Sequence, residues 1–504
     1  MSMPAEHLTA AMTLDDLLHG YADAPAIPVS GIASDSRLLQ PGDLFLACSG
    51  KSGHGLDCID DALQVGVAAV AFDASTASPP AGGGKVPVIA VPDLAQHLGA
   101  LADRFFGSPS QAVRVVGVTG TNGKTTVAWM IAQCLDRLEH TCGYVGTLGH
   151  GIRELAGGEG LTTPGSVELH SRLSEFRDAG ADYAAVEVSS HALAQKRIDG
   201  FTFDTVVFTN LSRDHLDYHR DMESYGTTKA RLFLDYAARH RIINLDSEFG
   251  ARLAARFGRD VVIVSADADR VADDRPYVFV RSIDAIATGS RVKVSTSWGD
   301  GEFMLPVPGD FNVENAAAAL AFLLCHEVTL VQACKALAEV EAPPGRMQRV
   351  PAADGLPSVY IDYAHSPEAL EVVLRALRTH CAGQLWCVFG CGGDRDAGKR
   401  PLMGEVAERC ADRVILTSDN PRGEAPDRII AMIAAGHSNP DAVTIIEDRA
   451  NAIGWAIKEA GPRDLVLIAG KGHERYQLIN GERRDFSDFE VAAENLVSRA
   501  EVTE

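Results

Sequence analysis

A glycine-containing loop between a β-branched run and a helix-forming run is the feature that most constrains the fold. Residues 113–118 form a mainly apolar run that predicts a buried strand, and residues 125–138 predict a helix. Gly120 and Gly123 lie between them, and without a Cβ the backbone can turn so that several N–H groups point at one position. That position lies at a helix N-terminus, which favours an anion. The segment therefore predicts a phosphate-binding loop.

The side chains of this segment suit a nucleoside triphosphate with Mg²⁺. Lys124 offers a cation to a β- or γ-phosphate, and Thr125 or Thr126 offers a hydroxyl to the metal ion. The match to the usual pattern is incomplete, because Val118 stands where its first glycine belongs and Gly117 lies one position earlier. An ordinary glycine-rich turn between a strand and a helix is the alternative.

Composition limits the class of partner. A chain of 504 residues corresponds to about three domains. The net charge of −22 argues against non-specific nucleic-acid binding, which needs a basic surface. The ten cysteines are scattered without a C-x-x-C pair, which predicts a reducing compartment and no disulfide framework. With neither a signal-peptide pattern nor a membrane-length apolar run, we expect a cytoplasmic protein without membrane insertion.

Turn-forming clusters divide the chain into three predicted domains, at residues 1–107, 108–342 and 343–504. Residues 107–110 predict a linker, and the Ala-Pro-Pro-Gly segment at 342–345 predicts a hinge. The first domain mixes short strands with helices. The other two alternate near-continuous apolar strands with helices, which predicts mainly parallel sheets covered on both faces. The fold class is therefore α/β.

Polar clusters follow two strand-like runs of the central region, at residues 183–188 and 205–209. Glu187 lies at the end of the first run, and His215 follows the second. In open α/β sheets ligands bind beyond the carboxyl ends of strands, so both side chains are candidates to face the phosphates. A carboxylate suits Mg²⁺ well, whereas an imidazole is an unusual ligand for it. A solvated strand end is the alternative for Glu187.

Other polar positions of the central region have simple interpretations by residue chemistry alone. Asn312 or Asn315 is expected to cap the alanine-rich helix that follows, with an adenine contact as the alternative. Thr162 and Thr163 predict a turn in a glycine-rich surface stretch, and Lys229 reads as a solvated helix lysine.

The C-terminal region contains four predicted strands, each of which runs directly into a polar or glycine cluster. The strands are residues 359–361, 385–389, 413–417 and 464–468, and the clusters begin at Asp362, Gly390, Ser418 and Gly470. Four such clusters should meet at one edge of a doubly wound sheet and form a ligand site. Arg395 and Arg422 suit carboxylates or phosphates, and Glu474 suits an ammonium group.

Together these motifs resemble the Mur ligases of peptidoglycan synthesis. The matching motifs are G-T-N-G-K-T-T from Gly120, E-V-S-S-H from Glu187, F-T-N-L-S-R-D-H-L-D-Y-H from Phe208, D-Y-A-H-S-P from Asp362, G-C-G-G-D-R-D from Gly390 and G-K-G-H-E from Gly470. They occur in the family's order and span nearly the whole chain. The resemblance implies an N-terminal UDP-sugar domain, a central P-loop ATPase and a Rossmann-like C-terminal domain, and we expect a monomer.

The resemblance also assigns ligands to individual residues. It implies that ATP binds at Gly120, Thr121, Asn122, Gly123, Lys124, Thr125 and Thr126. It places the UDP-sugar at Ser34, Ser36, Lys51, Ser52, Gly53, Thr162, Thr163, Ser189, Gln195 and Arg197. It implies catalytic roles for Lys124, Glu187, His215 and Lys229. It also implies that Thr125, Glu187 and His215 bind Mg²⁺. Lys229 falls where the family carries a lysine that CO₂ converts to an anionic carbamate.

Within the family, the resemblance is to ligases that add meso-2,6-diaminopimelate to UDP-N-acetylmuramoyl-L-alanyl-D-glutamate. Those members carry D-N-P-R, and the amino-acid site is implied at Arg395, Asp419, Asn420, Pro421, Arg422, Gly470 and Glu474. Arg422 can form two hydrogen bonds to the distal carboxylate, while Glu474 and the Gly470 carbonyl hold the distal ammonium. Lysine would leave a desolvated arginine unpaired, at about 2–5 kcal/mol if the site is buried. A structural turn with an exposed arginine is the alternative.

The implied reaction has two steps and needs no nucleophile on the protein. The terminal carboxylate of the UDP-sugar dipeptide first attacks the ATP γ-phosphate and forms an acyl phosphate. The diaminopimelate amine then attacks the acyl carbon and displaces phosphate. The domains that bind the substrates are expected to close at the 342–345 hinge. His365 and Asp362 are the candidates for a base. Two alternative functions keep the fold, a lysine-adding ligase and a folylpolyglutamate synthase, and the D-N-P-R motif disfavours both. A third alternative is an NTP-dependent switch protein that hydrolyses ATP without an amino acid.

Overall fold

A computed structural model gives the fold of the protein. It describes residues 12–50, 53–78, 86–157, 160–215, 218–271, 274–286, 288–439 and 443–503. The described chain forms two compact units, one within Met1–Lys124 and Glu139–Arg241 and the other within Thr125–Leu138 and Ile242–Glu504.

Helices and strands alternate along the described chain. The helices are α1 (Leu14–Leu18), α2 (Ile59–Val65), α3 (Leu94–Phe105), α4 (Pro109–Ala112), α5 (Lys124–Arg137), α6 (Ser166–Asp178), α7 (Ser190–Ala194), α8 (Met222–Leu234), α9 (Glu248–Ala254), α10 (Asp310–Cys325), α11 (Leu330–Leu337), α12 (Pro367–Arg378), α13 (Lys399–Cys410), α14 (Pro426–Ala434), α15 (Arg449–Glu459) and α16 (Asp488–Thr503). Short 3₁₀ turns lie at Ser36–Leu38, Gly55–Cys58 and Ala268–Val271. The strands are β1 (Gly31–Ala33), β2 (Asp43–Ala47), β3 (Ala69–Asp73), β4 (Val88–Val91), β5 (Arg114–Thr119), β6 (Cys142–Gly146), β7 (Gly149–Ile152), β8 (Tyr183–Glu187), β9 (Phe203–Phe208), β10 (Ala238–Asn244), β11 (Val262–Ser265), β12 (Tyr277–Ile286), β13 (Gly289–Thr296), β14 (Gly299–Leu305), β15 (Gln348–Val350), β16 (Ser358–Asp362), β17 (Leu385–Phe389), β18 (Arg413–Leu416), β19 (Thr444–Ile445), β20 (Leu465–Ala469), β21 (Tyr476–Ile479) and β22 (Glu482–Asp485).

The first unit begins with a small parallel sheet in the order β1-β2-β3-β4. Side chains of β2 alternate between its two faces, as strand geometry requires. Leu44 and Leu46 join the cluster with α1 and α3, whereas Phe45 and Ala47 join the cluster on the opposite face. Both faces of this sheet are therefore covered by apolar side chains.

The same unit holds the sheet that carries the predicted phosphate loop. Its strands follow the order β9-β5-β8-β6-β7, and the pairs β5–β8, β5–β9 and β6–β8 are parallel. Val118 pairs with Glu187 and Thr119 with Phe208, so the three strands end at one edge. This confirms the strands predicted from the apolar runs, and it brings together the polar clusters that follow them.

The second unit contains a parallel stretch that continues into an antiparallel meander. Its strands follow the order β10-β11-β12-β13-β14; the first three are parallel, and β12, β13 and β14 are antiparallel. The sequence reasoning did not predict this meander. Helix α10 begins at Asp310 with Gly309 at its N-cap position. The expectation that an asparagine caps the helix is wrong, because Asn312 lies inside the first turn and donates to the Pro308 carbonyl (2.8 Å).

A six-stranded sheet in the order β15-β16-β20-β17-β18-β19 completes the second unit. All its pairs are parallel except β15–β16. Ala469 pairs with both Asp362 and Phe389, and Phe389 pairs with Leu416. Helices α12 to α14 pack together, as do α15 and α16, and both groups contact the central strands. The four predicted strands are confirmed, and the polar clusters that follow them meet at one edge of the sheet.

Two expectations from composition concern the whole described chain. No disulfide joins any cysteines there. None of its helices has both the length and the apolar character that a bilayer crossing requires.

Candidate active site

The glycines of the phosphate loop have the backbone geometry that the sequence predicted. Gly120 (φ +151°) and Gly123 (φ +84°) both lie outside the range that other residues readily adopt. A Cβ on Gly120 would lie only 1.9 Å from the Thr209 hydroxyl oxygen. Helix α5 begins at Lys124, directly after the loop. The loop thus passes too close to its neighbour for any side chain at position 120.

The segment after β9 holds this loop through hydrogen bonds to its backbone. Thr121 donates its N–H to the Asn210 carbonyl (2.9 Å), and Asn122 donates its N–H to Asn210 Oδ1 (3.0 Å). The Thr209 hydroxyl donates to the Asn122 carbonyl (2.5 Å), and Ser212 donates its N–H to Thr121 Oγ1 (3.0 Å). The F-T-N-L-S stretch therefore fixes the shape of the loop.

Two lysines converge on the same carbonyl of the loop. Lys124 Nζ donates to the carbonyls of Gly120 (3.0 Å) and Thr121 (2.8 Å), and Lys229 Nζ donates to the Gly120 carbonyl (2.7 Å). Lys229 is 1% exposed, so its interpretation as a solvated helix lysine is wrong. Burial, and then the nearby Lys124 ammonium, lower the pKa of Lys229 well below its ordinary value. Both effects favour the unprotonated form of the Lys229 amine.

A cluster of aromatic and imidazole rings connects Lys229 with His215. Lys229 Nζ lies 4.5 Å from the centre of the Tyr225 ring, and the centre of the His215 ring lies 6.2 Å from the centre of the same ring. His191 packs edge-on to His215 at 5.1 Å. The backbone of His215 is left-handed (φ +51°), a conformation that is uncommon outside glycine and occurs often at functional sites. The structure thus places His215 near the lysine pair.

Glu187 is buried at the end of β8, where Tyr144 and Thr147 donate hydrogen bonds to its carboxylate. The Tyr144 hydroxyl donates to Oε1, the Thr147 N–H also donates to Oε1 (2.9 Å), and the Thr147 hydroxyl donates to Oε2 (3.2 Å). Its side chain is fully buried, so the solvated strand end is excluded. Gly146 leaves the room for this carboxylate, because a Cβ there would lie 2.1 Å from Oε1. Neither donor residue was predicted from the sequence, although Tyr144 lies in β6 of the same sheet and Thr147 directly follows that strand.

Residues assigned to the UDP-sugar gather beside Glu187. The buried Thr163 hydroxyl donates to the Glu187 carbonyl (2.7 Å) and accepts from the Ser189 N–H (3.0 Å). The Thr147 hydroxyl, which also binds the Glu187 carboxylate, lies 3.3 Å from the Thr162 hydroxyl. The two threonines are therefore more than a surface turn, because they connect to the acidic strand end.

Arg197 and Gln195 extend the same group. The Arg197 guanidinium donates to the Thr163 carbonyl (2.7 Å) and forms two hydrogen bonds to Gln195 Oε1, at 3.0 and 2.6 Å. Burial lowers the pKa of Arg197 from its ordinary value. Gln195 in turn lies 3.4 Å from the Tyr218 hydroxyl. Five of the ten predicted UDP-sugar residues are thus brought together.

Three of the other five predicted UDP-sugar residues, Ser34, Ser36 and Gly53, lie in segments that follow strands of the first parallel sheet. Ser34 is exposed directly after β1, Ser36 begins a 3₁₀ turn, and Gly53 accepts from the Gly50 N–H (2.8 Å) in the loop after β2. Among the described residues, no hydrogen bond joins these three to the Thr163 group. Lys51 and Ser52 lie outside the described residues.

In the C-terminal sheet, the D-N-P-R and G-K-G-H-E clusters are joined by their side chains. Asn420 Nδ2 donates to Glu474 Oε2 (2.8 Å), and Asn420 Oδ1 accepts from the Leu478 N–H (3.0 Å). Lys471 Nζ donates to the same Glu474 oxygen (3.0 Å). The sequence reasoning named Asn420 and Glu474 but missed Lys471, since nothing local to a glycine-flanked lysine shows that it is buried.

Arg422 lies at the centre of this edge rather than on an exposed turn. It is half-buried, has a left-handed backbone (φ +53°), and its Nη1 donates to the Gly393 carbonyl (2.8 Å). Gly470 (φ +112°) lets Asp419 approach, because a Cβ there would lie 2.7 Å from Asp419 Oδ2. Arg395 is exposed on the neighbouring loop. The exposed-turn interpretation of D-N-P-R is therefore wrong.

The two candidate bases have different surroundings. Asp362 is buried, and its carboxylate accepts from the backbone N–H groups of Met347 and Ala364, each at 2.8 Å. Burial raises the pKa of Asp362 against these contacts. The His365 ring nitrogen Nδ1 bonds to the Tyr363 carbonyl (2.9 Å), and burial lowers its pKa from the usual value. Asp362 is thus committed to holding its loop, which leaves His365 as the better candidate.

A phosphate loop after a buried parallel strand, with a second ligand site at the edge of another parallel sheet, defines a nucleotide-dependent α/β enzyme. Three family models match the chain: the Mur ligase family catalytic domain at residues 28–106, the Mur ligase middle domain at 118–323 and the Mur ligase glutamate ligase domain at 345–472. The chain belongs to the Mur ligase family and is an ATP-dependent ligase.

Relatives and a solved structure match over nearly the full length. The UDP-N-acetylmuramoyl-L-alanyl-D-glutamate–2,6-diaminopimelate ligase of Pseudomonas putida is 45% identical, covering 99% of this chain and 99% of the relative. The ligase of the same name from Coxiella burnetii is 45% identical over 93% of this chain and 96% of the relative. A solved structure with this name has a TM-score of 0.71 and 33% identity, covering 97% of this chain and 99% of its own.

Proposed function

We propose that the protein joins meso-2,6-diaminopimelate to UDP-N-acetylmuramoyl-L-alanyl-D-glutamate with ATP, in cytoplasmic synthesis of a peptidoglycan precursor. The full-length identity to ligases named for this reaction supports the proposal. The observation that carries it for this chain is the position of Asn420, which contacts Glu474 (2.8 Å) through its side chain and Arg422 Nη1 (3.5 Å) through its carbonyl, so that an anion and a cation are offered together. We also propose a monomer with domains at residues 1–107, 108–342 and 343–504.

We propose that Gly120 to Thr126 bind the ATP phosphates. The loop has backbone N–H groups at the start of α5, and Lys124 lies on it. We further propose Thr125, Glu187 and His215 as the Mg²⁺ ligands. The donor chemistry fits in two of the three, because a hydroxyl and a buried, oriented carboxylate are the oxygen ligands this ion prefers. Bound there, Mg²⁺ would neutralise charge that develops on the phosphates.

We propose that Lys229 is carbamylated. Its neutral amine would attack CO₂, forming an N–C bond and releasing one proton to give an anionic carbamate. The lowered pKa of this buried lysine supports the step, because only the unprotonated amine is a nucleophile. The carbamate nitrogen keeps one hydrogen, so the hydrogen bond to the Gly120 carbonyl can persist. The modification would place an anion beside the Lys124 ammonium.

In the proposed reaction, the protein aligns its substrates and supplies charge rather than a nucleophile. The terminal carboxylate of the dipeptide attacks the γ-phosphorus of ATP, breaks its bond to ADP and forms an acyl phosphate. The amine of diaminopimelate then attacks the acyl carbon, and inorganic phosphate leaves. Lys124 offsets charge at the transferring phosphate. We propose that Ser34, Ser36, Lys51, Ser52, Gly53, Thr162, Thr163, Ser189, Gln195 and Arg197 hold the UDP-sugar.

For the incoming amino acid, we propose the distal end of diaminopimelate as the recognised group. Arg422 would bind its carboxylate and Glu474 its ammonium, with Arg395, Asp419, Asn420, Pro421 and Gly470 completing the site. Glu474 also forms an ion pair with Lys471, so the carboxylate that would bind the ligand ammonium already has a cationic partner within the chain. This partner was not predicted from the sequence.

Phosphate release is expected only when ATP, the UDP-sugar dipeptide and diaminopimelate are all present. The acyl phosphate needs the dipeptide, and its consumption needs the amine. The measurement compares phosphate release with diaminopimelate, with L-lysine and with neither. Steady hydrolysis of ATP without any amino acid would favour an NTP-dependent switch, and equal rates with lysine would favour a lysine-adding ligase.

Replacing Arg422 by methionine is expected to lower kcat/KM for diaminopimelate by about 30-fold or more, because the distal carboxylate would lose its charged partner. The KM for ATP should change little. Arg428→Met is the matched control, since Arg428 is exposed on α14 of the same domain. Normal kinetics with diaminopimelate in Arg422→Met would contradict the assigned orientation of the amino acid.

A further inference from the structure

Lys471 is a buried cation in the amino-acid site with no role in the reaction proposed above. Its side chain is fully buried, and its Nζ lies 3.0 Å from Glu474 Oε2 and 3.2 Å from Asn420 Oδ1. The ring centre of Tyr476 lies 5.5 Å from the same nitrogen. A fixed positive charge thus lies against both side chains that would meet the distal end of the amino acid.

The other contacts of Glu474 show which part of its carboxylate is occupied. Within the described residues, the hydrogen bonds to this carboxylate come from Lys471 and Asn420, and both fall on Oε2. The side chain of Glu474 remains 20% exposed. A ligand ammonium that approaches Glu474 therefore meets an anion whose charge Lys471 already balances.

This arrangement treats the two possible amino acids differently. The distal end of diaminopimelate carries one carboxylate and one ammonium, so its net charge is zero. The distal end of lysine is a lone ammonium, which feels the repulsion of the nearby Lys471 without the compensating attraction of Arg422 for a carboxylate. Like charges at short range in a partly desolvated site repel strongly, and rejection of a wrong ligand is often built this way.

We infer that Lys471 determines the selectivity of the amino-acid site, favouring a zwitterionic distal end over a cationic one. This inference rests on the proposed function and adds a residue, Lys471, that disfavours the binding of L-lysine. Arg422 attracts the correct ligand, and Lys471 weakens the attraction of Glu474 for the wrong one.

The surrounding contacts allow the charge to be removed without loss of the local structure. Asn420 Oδ1 also accepts from the Leu478 N–H (3.0 Å), and Glu474 Oε2 also accepts from Asn420 Nδ2 (2.8 Å). Both side chains therefore keep a partner in Lys471→Met, and methionine has nearly the length of the lysine side chain. This variant tests the charge rather than the packing.

In Lys471→Met, the ratio of kcat/KM for diaminopimelate to kcat/KM for L-lysine is expected to fall about tenfold or more, as expected for loss of one nearby charge. The KM values for ATP and for the UDP-sugar dipeptide should remain those of the unaltered protein. Lys458→Met is the control, because Lys458 is exposed near the end of α15 in the same domain. An unchanged ratio, or an equal loss with both amino acids, would overturn the inference.

Glu474→Gln gives a second test with the opposite sign. Lysine would lose its only anionic partner and still face Lys471, whereas diaminopimelate keeps Arg422, so the ratio is expected to rise. If Lys471→Met does not unfold cooperatively on heating, the test depends on Glu474→Gln. A ratio of kcat/KM values in Glu474→Gln that is unchanged or lower overturns the inference. Failure of the proposed function would show differently, as absence of diaminopimelate-dependent phosphate release by the unaltered protein.

Discussion

Lys229→Ala is expected to lower kcat by about 10²- to 10³-fold, the usual loss when one preorganised charged group beside a reacting centre is removed. The buried Lys229 amine lies on the phosphate loop, 2.7 Å from the Gly120 carbonyl, so its carbamate would lie beside the bound phosphates. Phosphate release with all three substrates measures the effect. Lys293→Ala is the matched control, because Lys293 is exposed on β13.

A second variant separates the charge of the carbamate from the packing of the side chain. Lys229→Glu supplies a carboxylate without the modification, so it should retain more activity than Lys229→Ala. The unaltered protein equilibrated with ¹³C-bicarbonate should show a carbamate carbon signal that Lys229→Ala lacks. Normal turnover by Lys229→Ala would refute the catalytic role. Glutamate and alanine variants of equal activity, together with no carbamate signal, would refute the modification.

The strands that carry the sites could be predicted because they are buried on both faces. Every residue of β8, β17 and β20 is buried, so each reads as a continuous apolar run that ends where polar residues begin. Parallel pairing then places all the following clusters at one edge. The positions of the phosphate loop, Glu187 and the D-N-P-R cluster needed no further information.

The state of the polar side chains could not be predicted in the same way. Glu187 and Lys229 look like solvated residues in the local sequence, yet both are buried by contacts with segments distant in the chain. The Glu187 donors, Tyr144 and Thr147, lie about forty positions earlier. Such contacts leave no local pattern, so only the resemblance to a family indicated that these residues have a special role.

The meander of β12, β13 and β14 is a different case, because its signal was present in the sequence. Val292 and Val294 are buried while Arg291 and Lys293 are exposed, which is the alternation of a strand with one solvated face. This strand contains no continuous apolar run, which is the feature that predicts the other strands. A period-two search would have found the strand and the turn at residues 297–298.

A buried ion pair behind the amino-acid site gives the remaining large prediction. The Arg449 guanidinium donates to both carboxylate oxygens of Asp488, at 2.7 and 2.8 Å, and both side chains are fully buried. Arg449 also donates to the carbonyls of Ala469 (2.9 Å) and Ser418 (3.3 Å). Burial alone would lower the pKa of Arg449, but the Asp488 carboxylate raises it above its ordinary value. The two carbonyls directly precede Gly470 and Asp419, so this pair fixes both loops of the site.

Asp488→Asn is expected to lower the free energy of unfolding by about 3–5 kcal/mol, because it leaves the Arg449 charge buried without a counter-ion. Denaturation by urea measures the change. Asp274→Asn is the control, since Asp274 pairs with Arg259 in an ion pair that is mostly exposed and should contribute little. A stability equal to that of the unaltered protein would show that the buried pair is not required by the fold.

The double variant Arg449→Met with Asp488→Leu separates stability from positioning. Replacing a buried ion pair by apolar side chains is often neutral, and the apolar cluster around Ile453 and Leu496 can accept them. Stability should therefore largely return. The carbonyls of Ser418 and Ala469 would still lack their shared donor, so the KM for diaminopimelate should stay raised while that for ATP stays normal. Recovery of both stability and the KM for diaminopimelate would mean that the loops hold their positions without Arg449.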